Sequence, residues 1–256
     1  MSGDTDRQLE LLFELFSGLK RKAPGSEAST RYALARLGEL PASPAIVDMG
    51  CGAGASTLVL ASLTGGLVTA VDLSERFLDE LNRAALAAGL SDNIKTICAD
   101  MAALPLPDAS FDVVWSEGAI YLLGFKTGLQ RWGRLLRPGG WVAVTEITWM
   151  TNDRPAEAVE FWQKEYPSIT SVQDNVDIMQ SAGFDSIDHF VLPPEDWSTH
   201  FYQPLSERLP QFRSEHLDDP SAQAVADAMD REIQLWETCG GSYGYVFFLG
   251  RLASKK

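Results

Sequence analysis

The stretch Ile46-Val47-Asp48-Met49-Gly50-Cys51-Gly52-Ala53-Gly54 decides the fold, because an apolar β-branched run leads into three glycines at alternate positions. Glycine has no Cβ, so its backbone can turn sharply and approach a ligand closely. Between a buried strand and a helix N-terminus, such a loop is typical of a nucleotide-like ligand site in which unpaired amides and the helix dipole form an anion pocket. We therefore expect a strand over 45–49 and a helix from Gly54.

A second strand is predicted over 67–72, and Asp72 follows Gly50 by 72 − 50 = 22 residues. This spacing places a carboxylate at the tip of the next strand, where it can hold ribose hydroxyls. The pattern Gly50-x-Gly52-x-x-Ala55 also fits the dinucleotide loop G-x-G-x-x-A. An NAD-dependent oxidoreductase is therefore an alternative that these residues leave open.

Strands and helices alternate along most of the chain. Further strands are predicted by the apolar runs at 94–99, 111–115, 141–147, 187–192 and 243–249. The strands are nearly continuous apolar runs, as a parallel sheet covered on both faces requires. The strand at 94–99 would then bury Cys98.

Composition limits the partners. The chain has 256 residues, a formal net charge of −14 and 45% hydrophobic residues. Nucleic acid is a poor partner for such an acidic chain, because binding relies on basic patches. The basic run Lys20-Arg21-Lys22 is short and is interpreted as a solvated helix end.

The three cysteines, Cys51, Cys98 and Cys239, show no disulfide framework spacing, which favours a reducing, cytoplasmic compartment. No apolar run is long enough to span a bilayer. The histidines and cysteines show no metal-ligand spacing, so no metal is expected. A homodimer is one option for the assembly.

Three further features narrow the class. Asp48 precedes Gly50 in the pattern D-x-G-x-G-x-G, Asp100-Met101 follows the third strand, and the run at 105–116 leads into the fourth. Together with Leu135-Leu136-Arg137-Pro138-Gly139-Gly140, these motifs make residues 46 to about 147 resemble the class I S-adenosylmethionine-dependent methyltransferases. The resemblance implies a doubly wound, Rossmann-like, seven-stranded and mostly parallel α/β sheet with the last strand antiparallel.

The resemblance also implies roles for site residues. The cofactor S-adenosylmethionine would lie against two groups of residues, the glycine loop and the acidic strand tips: Asp48, Gly50, Cys51, Gly52, Asp72, Leu73, Asp100, Met101, Ser116 and Glu117. Asp48 would orient the loop or meet the methionine amine, Asp72 would hold the ribose, and Asp100 would accept from the adenine amine. Ser116 and Glu117 would sit beside the methionine end.

A narrower resemblance extends over nearly the whole chain, through Pro24-Gly25-Ser26-x-x-x-Thr30-Arg31, 115–121, 154–157 and 243–247. It is to bacterial methyltransferases similar to those of ubiquinone and menaquinone biosynthesis. It implies an N-terminal helical cap over 1–40 and a methyltransferase domain over 41–256. The segment at about 193–240 is expected to form a lid or substrate wall, or else an ornament on the sheet.

The expected reaction is methyl transfer to a small-molecule acceptor. The residues that bind the acceptor are harder to predict from the sequence than those that bind the cofactor. Glu117 and Tyr121 are candidate catalytic residues, with a cofactor role for Glu117 and a core role for Tyr121 as alternatives. Glu146 is interpreted as a solvated strand end, with a position beside the substrate as the alternative. His200 is interpreted as a surface or satisfied lid histidine, although it is the one histidine worth testing as a base. Five aromatic residues are predicted either to stack on the acceptor or to fill the core: Trp115, Tyr121, Trp149, Trp197 and Tyr202. A non-catalytic protein that binds S-adenosylmethionine is a second alternative.

Overall fold

A single mixed sheet organises the protein, whose computed structural model describes residues 2–253, with side chains described for residues 7–253. Its strands are β1 (Ala45–Met49), β2 (Leu67–Asp72), β3 (Ile94–Cys98), β4 (Phe111–Ser116), β5 (Leu136–Trp149), β6 (Thr170–Ser171), β7 (Phe184–Val191) and β8 (Tyr243–Leu252).

The strand order is β3-β2-β1-β4-β5-β8-β7, and the two-residue β6 pairs with β5. The first five strands in this order, β3, β2, β1, β4 and β5, are mutually parallel. In contrast, β8 runs antiparallel to both β5 and β7. The predicted α/β sheet with an antiparallel last strand is therefore confirmed, and β6 adds a short eighth strand. A dinucleotide-binding sheet of order 3-2-1-4-5-6 has no such antiparallel insertion.

Ten α-helices are described within residues 2–253. They are α1 (Ser2–Phe16), α2 (Glu27–Arg36), α3 (Ala55–Thr64), α4 (Glu75–Ala87), α5 (Phe125–Gly133), α6 (Ala156–Glu165), α7 (Val172–Ser181), α8 (Pro194–Trp197), α9 (Gln203–Glu215) and α10 (Pro220–Cys239). The hydroxyls of Ser26 and Ser74 cap α2 and α4 by accepting from backbone amides of the first turn. No helix among these residues is long and apolar enough to cross a membrane.

Two predicted features of the sheet are wrong. The strand expected at 141–147 begins at Leu136, because Leu136 pairs with Phe111 before the register shifts and Trp141 pairs with Val113. Cys98 is exposed rather than buried, since β3 forms the edge of the sheet and has a partner on one side only.

The segment between β7 and β8 is helical rather than loop-like. A π-helical turn, Ser198–Tyr202, joins α8 to α9, and α10 returns the chain to β8. Its aromatic residues pack inward: the Trp197 ring stacks on Trp236 with centroids 4.4 Å apart and planes 9° from parallel. The insertion is thereby fixed to the same core cluster as β8 and α1.

Candidate functional site

A cavity of about 570 Å³ lies at the carboxyl ends of β1, β2 and β4. We call it the first cavity. It brings together nine of the predicted site residues: Gly50, Cys51, Gly52, Asp72, Leu73, Asp100, Met101, Glu117 and Tyr121. The ends of neighbouring parallel strands meet at one sheet edge, which explains how motifs so far apart in sequence converge.

The glycine loop turns through left-handed conformations, with φ of 67° at Gly50 and 54° at Gly52. A Cβ on Gly50 would overlap the Cβ of Ala119. The amides of Gly50 and Cys51 both donate to Val71 O, and the Gly52 amide donates to Asp72. Internal acceptors therefore occupy these three amides, so the expected anion pocket cannot be formed by them.

Asp72 is held rigidly at the tip of β2. Its Oδ2 accepts from Gly52 N at 2.8 Å, and its Oδ1 accepts from Ser74 N at 2.9 Å. Burial raises the pKa of this carboxyl, while these amides and the charge of Lys22 oppose the increase. Each carboxylate oxygen keeps a free lone pair, so the group can still accept from a diol in the cavity.

Asp48 lies behind the loop and not in the wall of the first cavity. It is fully buried, and its Oδ2 accepts from Ser56 Oγ at 2.8 Å and Thr57 Oγ1 at 2.7 Å. Its Oδ1 has no partner among the side chains of residues 7–253, and burial raises the pKa of Asp48 to about 7. Of the two predicted roles, this geometry fits orientation of the loop, because the carboxyl ties β1 to the first turn of α3.

Ser116 is also outside the wall of the first cavity. Its hydroxyl donates to Met49 O at 2.9 Å and joins the ends of β4 and β1. This contact places Ser116 beneath the site, where it supports the loop rather than touching the cavity.

The turn after β3 is fixed by its own polar groups. Asp100 Oδ1 accepts from Ala102 N at 2.8 Å, and Met101 O accepts from Trp132 Nε1 at 3.2 Å. Asp100 is exposed to the cavity and retains acceptor capacity on its second oxygen.

Glu117 is the most heavily bonded carboxylate of the site. Its Oε2 accepts from Arg21 at 2.8 Å, and its Oε1 accepts from Thr30 Oγ1 at 2.7 Å and Trp115 Nε1 at 3.0 Å. Its side chain is only 6% exposed. Because both oxygens are engaged by fixed donors, the arrangement suits a structural anchor better than a proton acceptor.

The segment Lys20-Arg21-Lys22 lies in the wall of the first cavity, so its interpretation as a solvated helix end is wrong. Lys22 Nζ donates to Phe16 O, Leu19 O and Glu80, the last at 2.9 Å. Burial lowers the pKa of Lys22, and the bond to Glu80 opposes that effect. The sequence gives no local signal for these contacts, because Glu80 and Glu117 lie 58 and 96 residues away from their partners.

A second cavity of about 590 Å³ adjoins the first. The shared wall contains Leu12, Phe16, Lys22, Ala23, Pro24, Gly118 and Tyr121. Of the five aromatic residues proposed to stack on an acceptor, Tyr121 and Trp197 line this cavity. Trp115, Trp149 and Tyr202 lie in the buried core cluster instead.

Glu146 and His200 lie where the cavities do not reach. Glu146 is 1% exposed and its Oε2 has no partner, so its interpretation as a solvated strand end is wrong. Burial raises its pKa to about 8, and a contact with Tyr166 opposes this. His200 is exposed and lines neither cavity, as expected for a surface lid histidine.

Comparison with known proteins agrees with this geometry. Residues 46–140 match the family described as a methyltransferase domain. The chain is 30% identical over 166 residues to 27-O-demethylrifamycin SV methyltransferase of Amycolatopsis mediterranei, a match that covers 62% of this chain and 61% of that enzyme. It spans about half to three fifths of the length of several curated relatives it matches.

Solved structures share the whole fold. A methyltransferase of Geobacter sulfurreducens in complex with S-adenosyl-L-homocysteine superposes with a TM-score of 0.79 at 18% identity, covering 96% of this chain and 98% of that one. The [4+2]-cyclase SpnF superposes with a TM-score of 0.76 at 21% identity, covering 96% and 93%.

Residues 46–140 therefore match a methyltransferase domain, and the whole chain shares the fold of solved methyltransferase structures. The order of the sheet and its antiparallel β8 agree with that fold. Neither the oxidoreductase nor the non-catalytic alternative gains support from these comparisons.

Proposed function

We propose that the protein binds S-adenosylmethionine in the first cavity and transfers its methyl group to a small molecule held in the second. The observation that carries the proposal is the convergence of Gly50–Gly52, Asp72-Leu73, Asp100-Met101 and Glu117 on one cavity. The amides of Gly50, Cys51 and Gly52 are paired internally and so are not free to bind the pyrophosphate of a dinucleotide.

The residues of the first cavity fit the parts of this cofactor. Asp72 accepts from the ribose hydroxyls, because its carboxylate is pre-oriented by two amides and still has free lone pairs. Asp100 accepts from the adenine amine, with Leu73 and the Met101 backbone against the ring. Gly50, Cys51 and Gly52 pass beneath the methionine portion, and Asp48 and Ser116 support that loop from behind.

The first 40 residues form the cap over this site in our assignment. Residues of α1 and of the segment 20–24 lie in its wall, including Leu9 and Phe13. Two ion pairs fasten them to the domain, Arg21 with Glu117 and Lys22 with Glu80. The helices of the 193–240 insertion close the second cavity from the other side.

S-adenosylmethionine, when bound, supplies a methyl group already activated by its sulfonium. The task of the protein is then to align the acceptor and exclude water, and such positioning can contribute on the order of 7–11 kcal/mol. Tyr121 lies in the wall shared by both cavities and is assigned to position the acceptor. Glu117 is assigned to hold the cap rather than to act as a base.

Three further assignments complete the proposal. The bacterial subgroup similar to the ubiquinone and menaquinone enzymes fits the whole-chain motifs, and a cytoplasmic location fits the free cysteines. The net charge of −14 disfavours nucleic acid as a partner. A homodimer stays a prediction for size-exclusion chromatography with light scattering.

The cofactor assignment is tested by calorimetric titration of S-adenosylhomocysteine into Asp72→Ala. We expect at least a tenfold loss of affinity, about 1.4 kcal/mol, because the ribose loses its acceptor. Asp79→Ala, an exposed carboxylate of α4, is the matched control and should bind as the wild type does. Equal affinity of wild type and Asp72→Ala would remove Asp72 from the site.

The activity is tested by incubating the protein with S-adenosylmethionine and a metabolite library and detecting S-adenosylhomocysteine. We expect release that depends on an acceptor and is lost in Asp72→Ala at limiting cofactor. Cofactor binding without turnover on any acceptor would favour the non-catalytic alternative.

A further inference from the structure

We propose that the second cavity selects an acceptor with a cationic amine on an aromatic or apolar body, and that Glu232 is the counter-charge. The inference rests on the proposed function and names the substrate class of that site.

Glu232 is the least exposed carboxylate of the cavity wall: it is half-buried, whereas the other glutamates of the wall are exposed. It is on α10, and its Oε1 accepts from Tyr202 Oη at 2.9 Å. Among residues 7–253 it forms no ion pair with a lysine or arginine. A carboxylate in such a position is costly to ionise unless a ligand supplies a positive charge.

The basic groups of the same wall do not compensate Glu232. Lys22 is neutralised by Glu80 at 2.9 Å, and Lys164 lies at the rim, 80% exposed and paired with Glu165. Arg231 is exposed. The rim adds two further exposed acids, Glu157 and Glu160. The wall therefore contains four glutamates against three basic side chains and carries a small net negative charge.

Aromatic rings make up much of the remaining surface: Phe161, Trp162, Tyr166, Trp197, Phe201 and Tyr245. The faces of Trp and Tyr attract a desolvated cation through the negative charge of the ring face. They also pack against an apolar body. A carboxylate without a counter-ion next to such rings favours an ammonium over a neutral hydroxyl and disfavours a carboxylate or phosphate.

The negative charge of Glu232 affects Tyr121, which lies where the two cavities meet. Burial, followed by the negative charges of Glu232 and Glu146, raises the pKa of Tyr121 to about 12. Tyr121 lies in the shared wall, so an acceptor anchored by Glu232 can extend toward the first cavity.

The test compares tryptamine with tryptophol, which share an indole body and differ in an ammonium against a hydroxyl. Both are titrated calorimetrically into the full chain saturated with S-adenosylhomocysteine. The variant is Glu232→Gln, which keeps the shape of the side chain and removes its charge. The matched control is Glu237→Gln, an exposed residue of the same helix that lines neither cavity.

We expect tryptamine to bind wild type and Glu237→Gln at least about tenfold more tightly than tryptophol. Glu232→Gln should lose this preference while its tryptophol affinity and circular dichroism spectrum stay unchanged. Equal affinities in the wild type, no binding of either probe, or a preference that survives in Glu232→Gln would overturn the inference. S-adenosylhomocysteine binding is measured separately. Absence of that binding would contradict the proposed function, whereas binding without a preference for the amine would contradict only this inference.

Discussion

The two cavities are built in different ways, although they share a wall. The first is formed mainly by main-chain turns at the ends of β1 to β4, where each motif is continuous in sequence. The second is formed by side chains from α1, α6, α10 and β8. Some of these elements lie more than 200 residues apart in the sequence. A site made of turns can be recognised from motifs in the sequence, whereas a site made of side chains distant in the sequence cannot.

Gly50 gives the largest expected effect, because it tests whether the first cavity depends on its turn. Gly50→Ala should lower the free energy of unfolding by about 2–4 kcal/mol, from backbone strain plus overlap with Ala119. S-adenosylhomocysteine affinity should fall by at least about tenfold. Denaturant unfolding and calorimetry measure the two effects.

Gly89→Ala is the matched control for this substitution. Gly89 has a φ of 70°, close to the 67° of Gly50, but has open space around its Cβ position. It should cost about 1 kcal/mol from strain alone and leave binding unchanged. An equal cost in both variants would show that close packing of the loop is unimportant.

Glu117 sharpens the comparison, because it joins the strand-end motif to the N-terminal cap through an ion pair with Arg21 that the sequence did not reveal. Glu117→Gln should destabilise the protein by about 3 kcal/mol, since Arg21 stays buried without its partner. Urea unfolding measures this. Glu27→Gln breaks the exposed pair with Arg31 and should be nearly silent. If Glu117→Gln is equally silent in unfolding and in cofactor binding, Glu117 does not anchor the cap.

Glu146 lies in the part of the sheet that was harder to predict from the sequence, and the pH dependence of stability tests its role. Its folded-state pKa of about 8 lies above the value of 4.5 for an unfolded carboxyl, so the folded state holds the proton between these values. Its contribution to stability is complete below pH 4.5 and is lost as pH rises through 8. Between pH 5 and pH 8, the wild type should lose about 3 kcal/mol relative to Glu146→Gln.

Glu39→Gln, an exposed carboxylate, provides the control for this pH series and should follow the wild type. Parallel stability curves for wild type and Glu146→Gln would mean that Glu146 titrates as an ordinary carboxyl.

The smallest expected effect is that of His200→Ala. His200 is exposed and lines neither cavity, so turnover should stay within about twofold of wild type. The measurement is the initial rate with any acceptor found by screening. A loss of activity with unchanged acceptor affinity would restore His200 as a base.

The difference between sites made of local turns and sites made of distant side chains also explains what could be predicted from the sequence. The run 46–54 specified β1, the glycine turn and α3, because each depends on neighbouring residues. The roles of Lys22 and Glu146 were misread, since both depend on burial by elements distant in the chain. Asp48 was recognised as part of the motif, but only its contacts with Ser56 and Thr57 show that it lies behind the loop.

The central claim is that the first cavity holds an adenosyl cofactor without a pyrophosphate. The most direct test is to titrate S-adenosylhomocysteine and NADH separately into the wild-type protein by calorimetry. We predict saturable binding of one S-adenosylhomocysteine per chain and no binding of NADH. No heat with S-adenosylhomocysteine, or NADH binding that Asp72→Ala weakens, would contradict the account.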